Sequence, residues 1–275
     1  MEKDNLLKLL WDNYTQMTPS AKHIHQIFEE QGEQVLNDHI ALRTFNDPRV
    51  NIEVIAKPFI ELGYVEKGEY EFKEKKLLAH HYEFPDDENA PKIFISELLL
   101  EKCSEELQEI ISGVIDQIPD HASTKDNLLL QGRLWDISFH DYEILRKESE
   151  YASWMYVFGF CANHFTVLVN GLKTLKSLEE VNDFLKAKNF KLNDAGGEIK
   201  GTPSQFLEQS STIADQVPVH FGQDIKNIPS CYYEFARRYP LADGNLYQGF
   251  IAASADKIFE STNVSLVEKI LSKNQ

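Results

Sequence analysis

The sequence predicts an α+β protein in which two βαβββ repeats form a curved, barrel-like mixed sheet, with a helical N-terminal cover and a helical insertion between the repeats. The prediction starts from two stretches, Asp38 to Phe45 (DHIALRTF) and Ala162 to Asn170 (ANHFTVLVN). Both read as strands rich in branched and aromatic residues, and each carries a histidine near its start, His39 and His164. Each is followed by a helical stretch and then by strand-like runs. The last run of each half holds a glutamate in apolar company, Glu97 in KIFISELLL and Glu234 in CYYEFARRY.

The elements follow in order within a single expected domain, 1–275. A cover over 1–35 carries two helices: Leu6, Leu7, Leu10 and Trp11 share one face of the first, and Pro19 and Ser20 open the second. His23 and His25 are expected at its surface. The first repeat, 38–100, continues from its strand through the turn NDPR into IEVIAKPFIELGY, a helix closed by Gly63. Strands are expected around Tyr70 to Phe72, over Leu77 to Phe84 and over Lys92 to Leu100. The insertion, 101–160, holds the amphipathic stretch SEELQEIISGVIDQI and one further helix over DYEILRKESEYASWMYVFGF. Its aromatic residues (Trp135, Phe139, Trp154, Tyr156, Phe158, Phe160) are read as core. In the second repeat, 161–240, SLEEVNDFLKAKN is a helix, FKLNDAGGEIKGTP turns at Gly-Gly, LEQSSTIADQVPVHF is one extended run, and CYYEFARRY is the last strand. The C-terminal segment, 241–275, is expected to be a short amphipathic helix from Ile258 onward.

Composition limits the function classes. A net charge of −16 without a basic stripe argues against a nucleic-acid groove, so no nucleic-acid partner is expected. Three cysteines without CxxC spacing fit a reducing compartment and give no disulfide framework. The N-terminus lacks the pattern of a signal peptide, and no apolar run approaches the ~18 residues of a membrane span. A cytoplasmic protein without a membrane partner is expected, and the sequence is silent on oligomeric state.

Alternation along strands puts His39, Ala41 and Arg43 on one face, His164, Thr166 and Leu168 on one face, and Tyr232, Glu234 and Ala236 on one face. An unpartnered carboxylate on a strand as apolar as CYYEFARRY costs several kcal/mol. Coordination of a metal by two imidazoles and one carboxylate offsets that cost and leaves open positions, the facial-triad arrangement of non-haem Fe(II) oxygenases. Arg43 suits a carboxylate at the far end of a short, extended ligand. Each residue alone has a plainer reading: a hydrogen-bonded core histidine, a Glu234 ion pair with Arg237 or Arg238, a structural salt bridge for Arg43. Glu97 occupies the place in the first half that Glu234 occupies in the second. As a ligand it would make the four-ligand shell of a Lewis-acid isomerase; it is otherwise a supporting or structural residue. His80, His81 and His220 lie on candidate inner strands, where they could support the ligands or serve as core or surface residues.

The combination DHIALRTF, SEYASWMYVFGFCANHFTVLVN, IKGTPSQFLEQSSTIADQVPVHF and PSCYYEFARRYP resembles the 2-oxoadipate dioxygenase/decarboxylase family, which forms 2-hydroxyglutarate and is similar in fold to the vicinal oxygen chelate (glyoxalase-like) superfamily. The resemblance spans roughly Asp38 to Glu260. It implies Fe(II) held by His39, His164 and Glu234, with Arg43 on the substrate carboxylate, and a 2-oxo acid and O2 as substrates. Two other classes stay open beside it. One is a different metalloenzyme of the same fold, a glyoxalase-type isomerase or a ring-cleaving dioxygenase; the other is a non-catalytic small-molecule binding protein.

Overall fold

The structure, a computed structural model, describes residues 2–87, 89–119, 122 and 128–272. Its centre is a mixed eight-stranded sheet in the order β2-β3-β4-β1-β5-β10-β7-β6. The first half supplies β1 (Asn37–Phe45), β2 (Val65–Phe72), β3 (Leu77–Glu83) and β4 (Lys92–Leu98). The second supplies β5 (Ala162–Leu168), β6 (Lys200–Thr202), β7 (Leu207–Ser211) and β10 (Tyr232–Arg238). β1 runs parallel to β4, β5 runs parallel to β10, and β1 meets β5 antiparallel at the middle of the sheet. The two halves are therefore related by an approximate twofold, as the repeated pattern predicts.

The crossover helices form for local reasons. In α3 (Ile52–Glu61) the Asn51 side chain accepts from the Val54 amide, and Gly63 leaves the helix at φ 107°. In α7 (Leu178–Ala187) Ser177 and Glu180 form a reciprocal capping box. The outer face of the sheet is covered by α1 (Lys3–Met17) and α2 (Pro19–Glu30). Trp11 and Tyr14 pack on Phe165, and Phe28 packs on Phe235. His23 is exposed as expected, but His25 is half-buried beside Trp11 and Glu29.

Three expectations need correction. The single helix expected over Asp141 to Phe160 is two, α5 (Phe139–Glu148) and α6 (Glu150–Phe158). Ser149 interrupts them with extended backbone, φ −146° and ψ 105°, and its hydroxyl caps α6 by accepting from the Ala152 amide. The run LEQSSTIADQVPVHF is not one strand. Only β7 joins the main sheet, while β8 (Gln216–Phe221) turns back on an unanticipated β9 (Asp224–Pro229) as a separate hairpin. The C-terminal segment is α8 (Ala252–Ile258), a 3-10 turn Phe259–Thr262 and α9 (Val264–Ser272), not one helix from Ile258.

The insertion also carries α4 (Glu105–Ile115). Trp135, Trp154, Tyr156, Phe158 and Phe160 are buried, as their composition predicts, and Phe139 is half-buried. The Trp135 and Trp154 indole N–H groups donate to the Tyr156 and Ser230 carbonyls. No helix among the described residues is long and apolar enough to cross a membrane.

The insertion rejoins the sheet at Gly159, whose φ of 66° and ψ of −144° favour glycine. A Cβ there would overlap the Gly132 carbonyl oxygen, within the bridge that Gly132 makes to Phe160. Gly159→Ala is expected to cost about 1–3 kcal/mol in denaturant unfolding, whereas alanine at Gly113, in open space on α4, is expected to be neutral or stabilising.

Candidate metal centre

Strand register places the site residues in tiers on the inner face. His39 lies opposite Thr166, which lies opposite Glu234. In the next tier Ala41 lies opposite His164, His164 opposite Tyr232, and Ala41 also opposite Phe94. Arg43, opposite Ser96, follows beyond. His39, His164, Glu234 and Arg43 thus share one face, and all four are buried. The imidazole Nε2 atoms of His39 and His164 are 3.4 Å apart. Glu234 brings Oε1 to 3.6 Å from His39 Nε2 and Oε2 to 3.2 Å from His164 Nε2. One ligand atom from each of the three lies within 4.8 Å of the others.

Each histidine is oriented by the residue before it. His39 Nδ1 is 2.8 Å from Asp38 Oδ1, and His164 Nδ1 is 3.0 Å from Asn163 Oδ1. These oxygens accept from Nδ1–H, which leaves the Nε2 lone pairs pointing into the site. A register shift between Asn37 and His39 accompanies the Asp38 contact. Burial would raise the Asp38 carboxyl, but Arg238, donating from Nε at 2.6 Å and Nη2 at 2.8 Å, holds it well below the usual carboxylate range together with His39. Burial lowers both histidine pKa values, keeping the rings neutral as a cation requires. Glu234 is pushed up to about 8 by burial, although Gln209 Nε2 donates to its Oε1 at 2.7 Å. Its Oε2 has no hydrogen bond at all. Two neutral imidazoles and a buried carboxylate with an unsatisfied oxygen form a donor set that fits a divalent cation.

Glu97 does not occupy the place of Glu234. It lies opposite Thr44 on the outer face, where its Oε2 accepts from the Ile52 amide at 2.9 Å and so supports the start of α3. The twofold counterpart of Glu234, two residues beyond the histidine and one strand over, is Phe94. The fourth position of a four-ligand shell is therefore filled by an apolar ring. Nor does Glu234 pair with Arg237 or Arg238: Arg238 is held by Asp38, and Arg237 lies over the Tyr239 ring. His81 faces inward but is tied to Glu83 and Tyr70, His80 lies between Glu66 and Glu69, and His220 is exposed.

The guanidinium of Arg43 is packed among Trp154, Tyr151 and Phe259, with its carbon 4.8, 5.0 and 5.5 Å from the ring centres. Its Nε has no hydrogen-bond partner, and among the described residues no carboxylate pairs with it. The expected salt bridge of the plainer reading is absent there. Arg43 also lines a cavity of ≈ 200 Å³ bordered by Lys75, Glu150 and Phe259. On the other side of Phe259 a pocket of ≈ 20 Å³ abuts the triad and is closed by Phe250 and Ile258.

The sequence profile of the 2-oxoadipate dioxygenase/decarboxylase family matches residues 3–245. The chain belongs to that family. The 2-oxoadipate dioxygenase/decarboxylase of Oryza sativa subsp. japonica, named as chloroplastic/amyloplastic, is 34% identical over 279 aligned positions, covering 91% of this chain and 76% of the relative. The chloroplastic enzyme of Arabidopsis thaliana is 34% identical over 275, covering 90% and 74%. The crystal structure of the Oryza sativa hydroxyglutarate synthase in complex with 2-oxoadipate matches with a TM-score of 0.87 at 32% identity, over 96% of this chain and 93% of that one. A Shewanella frigidimarina NCIMB 400 protein, described as a hydrolase, matches at 0.87 and 52% identity, over 91% and 98%. A glyoxalase superfamily protein from Ralstonia eutropha JMP134, at 0.74 and 21% over 88% and 83%, shares the fold. In this member of the dioxygenase/decarboxylase family, helix α8 and the 3-10 turn that follows it, which line the pocket beside the triad, lie beyond the matched residues.

Glu150, bordering the Arg43 cavity, is pushed up to about 7 by burial. Its folded-state pKa lies above its unfolded one, so the penalty for ionising it is absent in acid and grows as pH rises from the usual glutamate range to about 7. The stability advantage of Glu150→Gln over wild type should increase across that window and level off above it. Denaturant unfolding at a series of pH values checks this; a difference independent of pH would contradict it.

Proposed function

We propose that this protein is an Fe(II)-dependent 2-oxoadipate dioxygenase/decarboxylase that converts 2-oxoadipate and O2 to 2-hydroxyglutarate and CO2. The observation that carries the reading is the buried convergence of His39, His164 and Glu234 on the sheet face that Arg43 shares, in a chain of that family. The reaction balances without an external reductant, because the atoms of O2 and 2-oxoadipate are all accounted for in the two products. Three free, buried cysteines support a reducing compartment such as the cytoplasm.

His39, His164 and Glu234 would hold the metal, and Phe94 at the fourth position keeps the shell open on that side. Bound there, Fe(II) supplies activation of O2 and polarisation of the 2-keto group. Asp38 and Asn163 fix the imidazoles, and Gln209 fixes one Glu234 oxygen. Arg43 pairs with the distal carboxylate of the substrate and sets its direction across the face. The wall of Phe94, Phe250, Ile258 and Phe259 excludes water from the reacting centre. The pocket of ≈ 20 Å³ beside the triad has room for about one water, less than a six-carbon acid occupies. Phe94 in place of a fourth ligand disfavours the isomerase reading.

The test is oxygen uptake by anaerobically Fe(II)-loaded protein on addition of 2-oxoadipate. The expected result is uptake matched one to one by CO2 and 2-hydroxyglutarate. His164→Ala should lose more than the ~10–100-fold typical of removing a residue that only orients a ligand. Bound iron without uptake would overturn the substrate assignment, and equal uptake by His164→Ala would overturn the site.

A further inference from the structure

The Tyr232 hydroxyl is fully buried on the inner face and makes no hydrogen bond. An unsatisfied buried hydroxyl is costly, and a phenyl ring would fill the same space without that cost. The rest of the residue is firmly placed. Its ring stacks on His164, with centroids 4.6 Å apart and planes at 26°, and its carbonyl accepts from the Tyr14 hydroxyl. Register puts Tyr232 in the tier between the Glu234–His39 level and the Arg43 level. Glu234 and Arg43 are both close enough to act electrostatically on the hydroxyl. Arg43, for its part, keeps Nε unpartnered. Two buried donors without acceptors, one charged and one neutral, therefore lie in successive tiers of the inner face beyond the Glu234–His39 level.

We propose that Tyr232 is a substrate-binding residue whose hydroxyl donates to the distal carboxylate of the 2-oxo dicarboxylic acid beside Arg43, and so contributes to selecting a dicarboxylate. The inference rests on the reading of Arg43 given under the proposed function. The ring's contact with His164 and the hydroxyl's service to the substrate are separable, because Tyr232→Phe keeps the first and removes the second.

The experiment is calorimetric titration of 2-oxoadipate, and of 2-oxohexanoate as the analogue without a distal carboxylate, into anaerobic Fe(II)-loaded wild type and Tyr232→Phe. Iron content and the thermal unfolding of the ligand-free proteins are measured alongside. Loss of a hydrogen bond to a charged group predicts ~10–100-fold weaker binding of 2-oxoadipate by the variant. Binding of 2-oxohexanoate and iron content should be unchanged, and the Tm of the ligand-free variant equal or higher. Unchanged affinity for 2-oxoadipate would overturn the inference while leaving the proposed function intact. Equal losses for both acids would also overturn it, since the hydroxyl would then not serve the distal carboxylate. A lower Tm with lower iron content would assign it a structural role instead. Wild type that binds neither acid would overturn the proposed function, and this inference with it.

Discussion

The Asp38 carboxylate is the interaction on which the rest of the site depends. One oxygen accepts from His39 Nδ1, and both accept from Arg238, which lies at the end of β10, four residues beyond Glu234. Arg238 Nη1 also donates to the carbonyls of Tyr247 and Gly249, where the chain leaves the sheet for the C-terminal cover. One buried ion pair therefore joins the first histidine, the strand of the glutamate and the root of the segment over the pocket. Its desolvation cost is offset by the two bonds between the charges, by His39 on Asp38 and by the two carbonyls on Arg238, whereas removing either partner would strand the other at about 3–5 kcal/mol.

The approximate twofold of the sheet explains both what the halves share and where they part. Each half presents a histidine on its central strand, held by the polar residue before it: Asp38 in the first, Asn163 in the second. Only the first of these carries charge, and only it needs an arginine. The next equivalent pair diverges completely, with Glu234 in one half and Phe94 in the other. A symmetric frame thus yields an asymmetric site with two imidazoles, one carboxylate and one apolar wall. On a metal held by the three ligands, that asymmetry would leave open positions beside the apolar wall.

The residues of this centre were legible to different degrees. His39, His164, Glu234 and Arg43 were legible because alternation decides which residues of one strand share a face, and the register of β1, β5 and β10 brings those faces together. Glu97 misled because its apolar surroundings and its place on the last strand resemble those of Glu234. Counting residues from the paired histidine, rather than matching strand ends, gives Phe94 instead. Asp38 and Asn163 stand in plain view as acidic or amide residues directly before each histidine, a signal that was present and unused. Arg238 had no such signal, since its partner lies 200 positions away in the sequence. The same holds for Tyr151 and Trp154, which read as core and are core, yet also enclose Arg43. The hairpin β8–β9 and the break at Ser149 were missed for a local reason: each is marked only by a short polar stretch, Gly222 to Asp224 in one and Arg146 to Glu150 in the other, with a turn or a cap inside it.

Anomalous diffraction from crystals of the iron-loaded protein, collected at the iron edge, tests the triad as the metal centre most directly. One peak per chain is expected, within bonding distance of His39 Nε2, His164 Nε2 and a Glu234 carboxylate oxygen. Glu97 should remain on the far side of the sheet against the Ile52 amide, and Phe94 should border the metal without binding it. A peak elsewhere, or a shell that recruits Glu97 as a fourth ligand, would contradict that assignment.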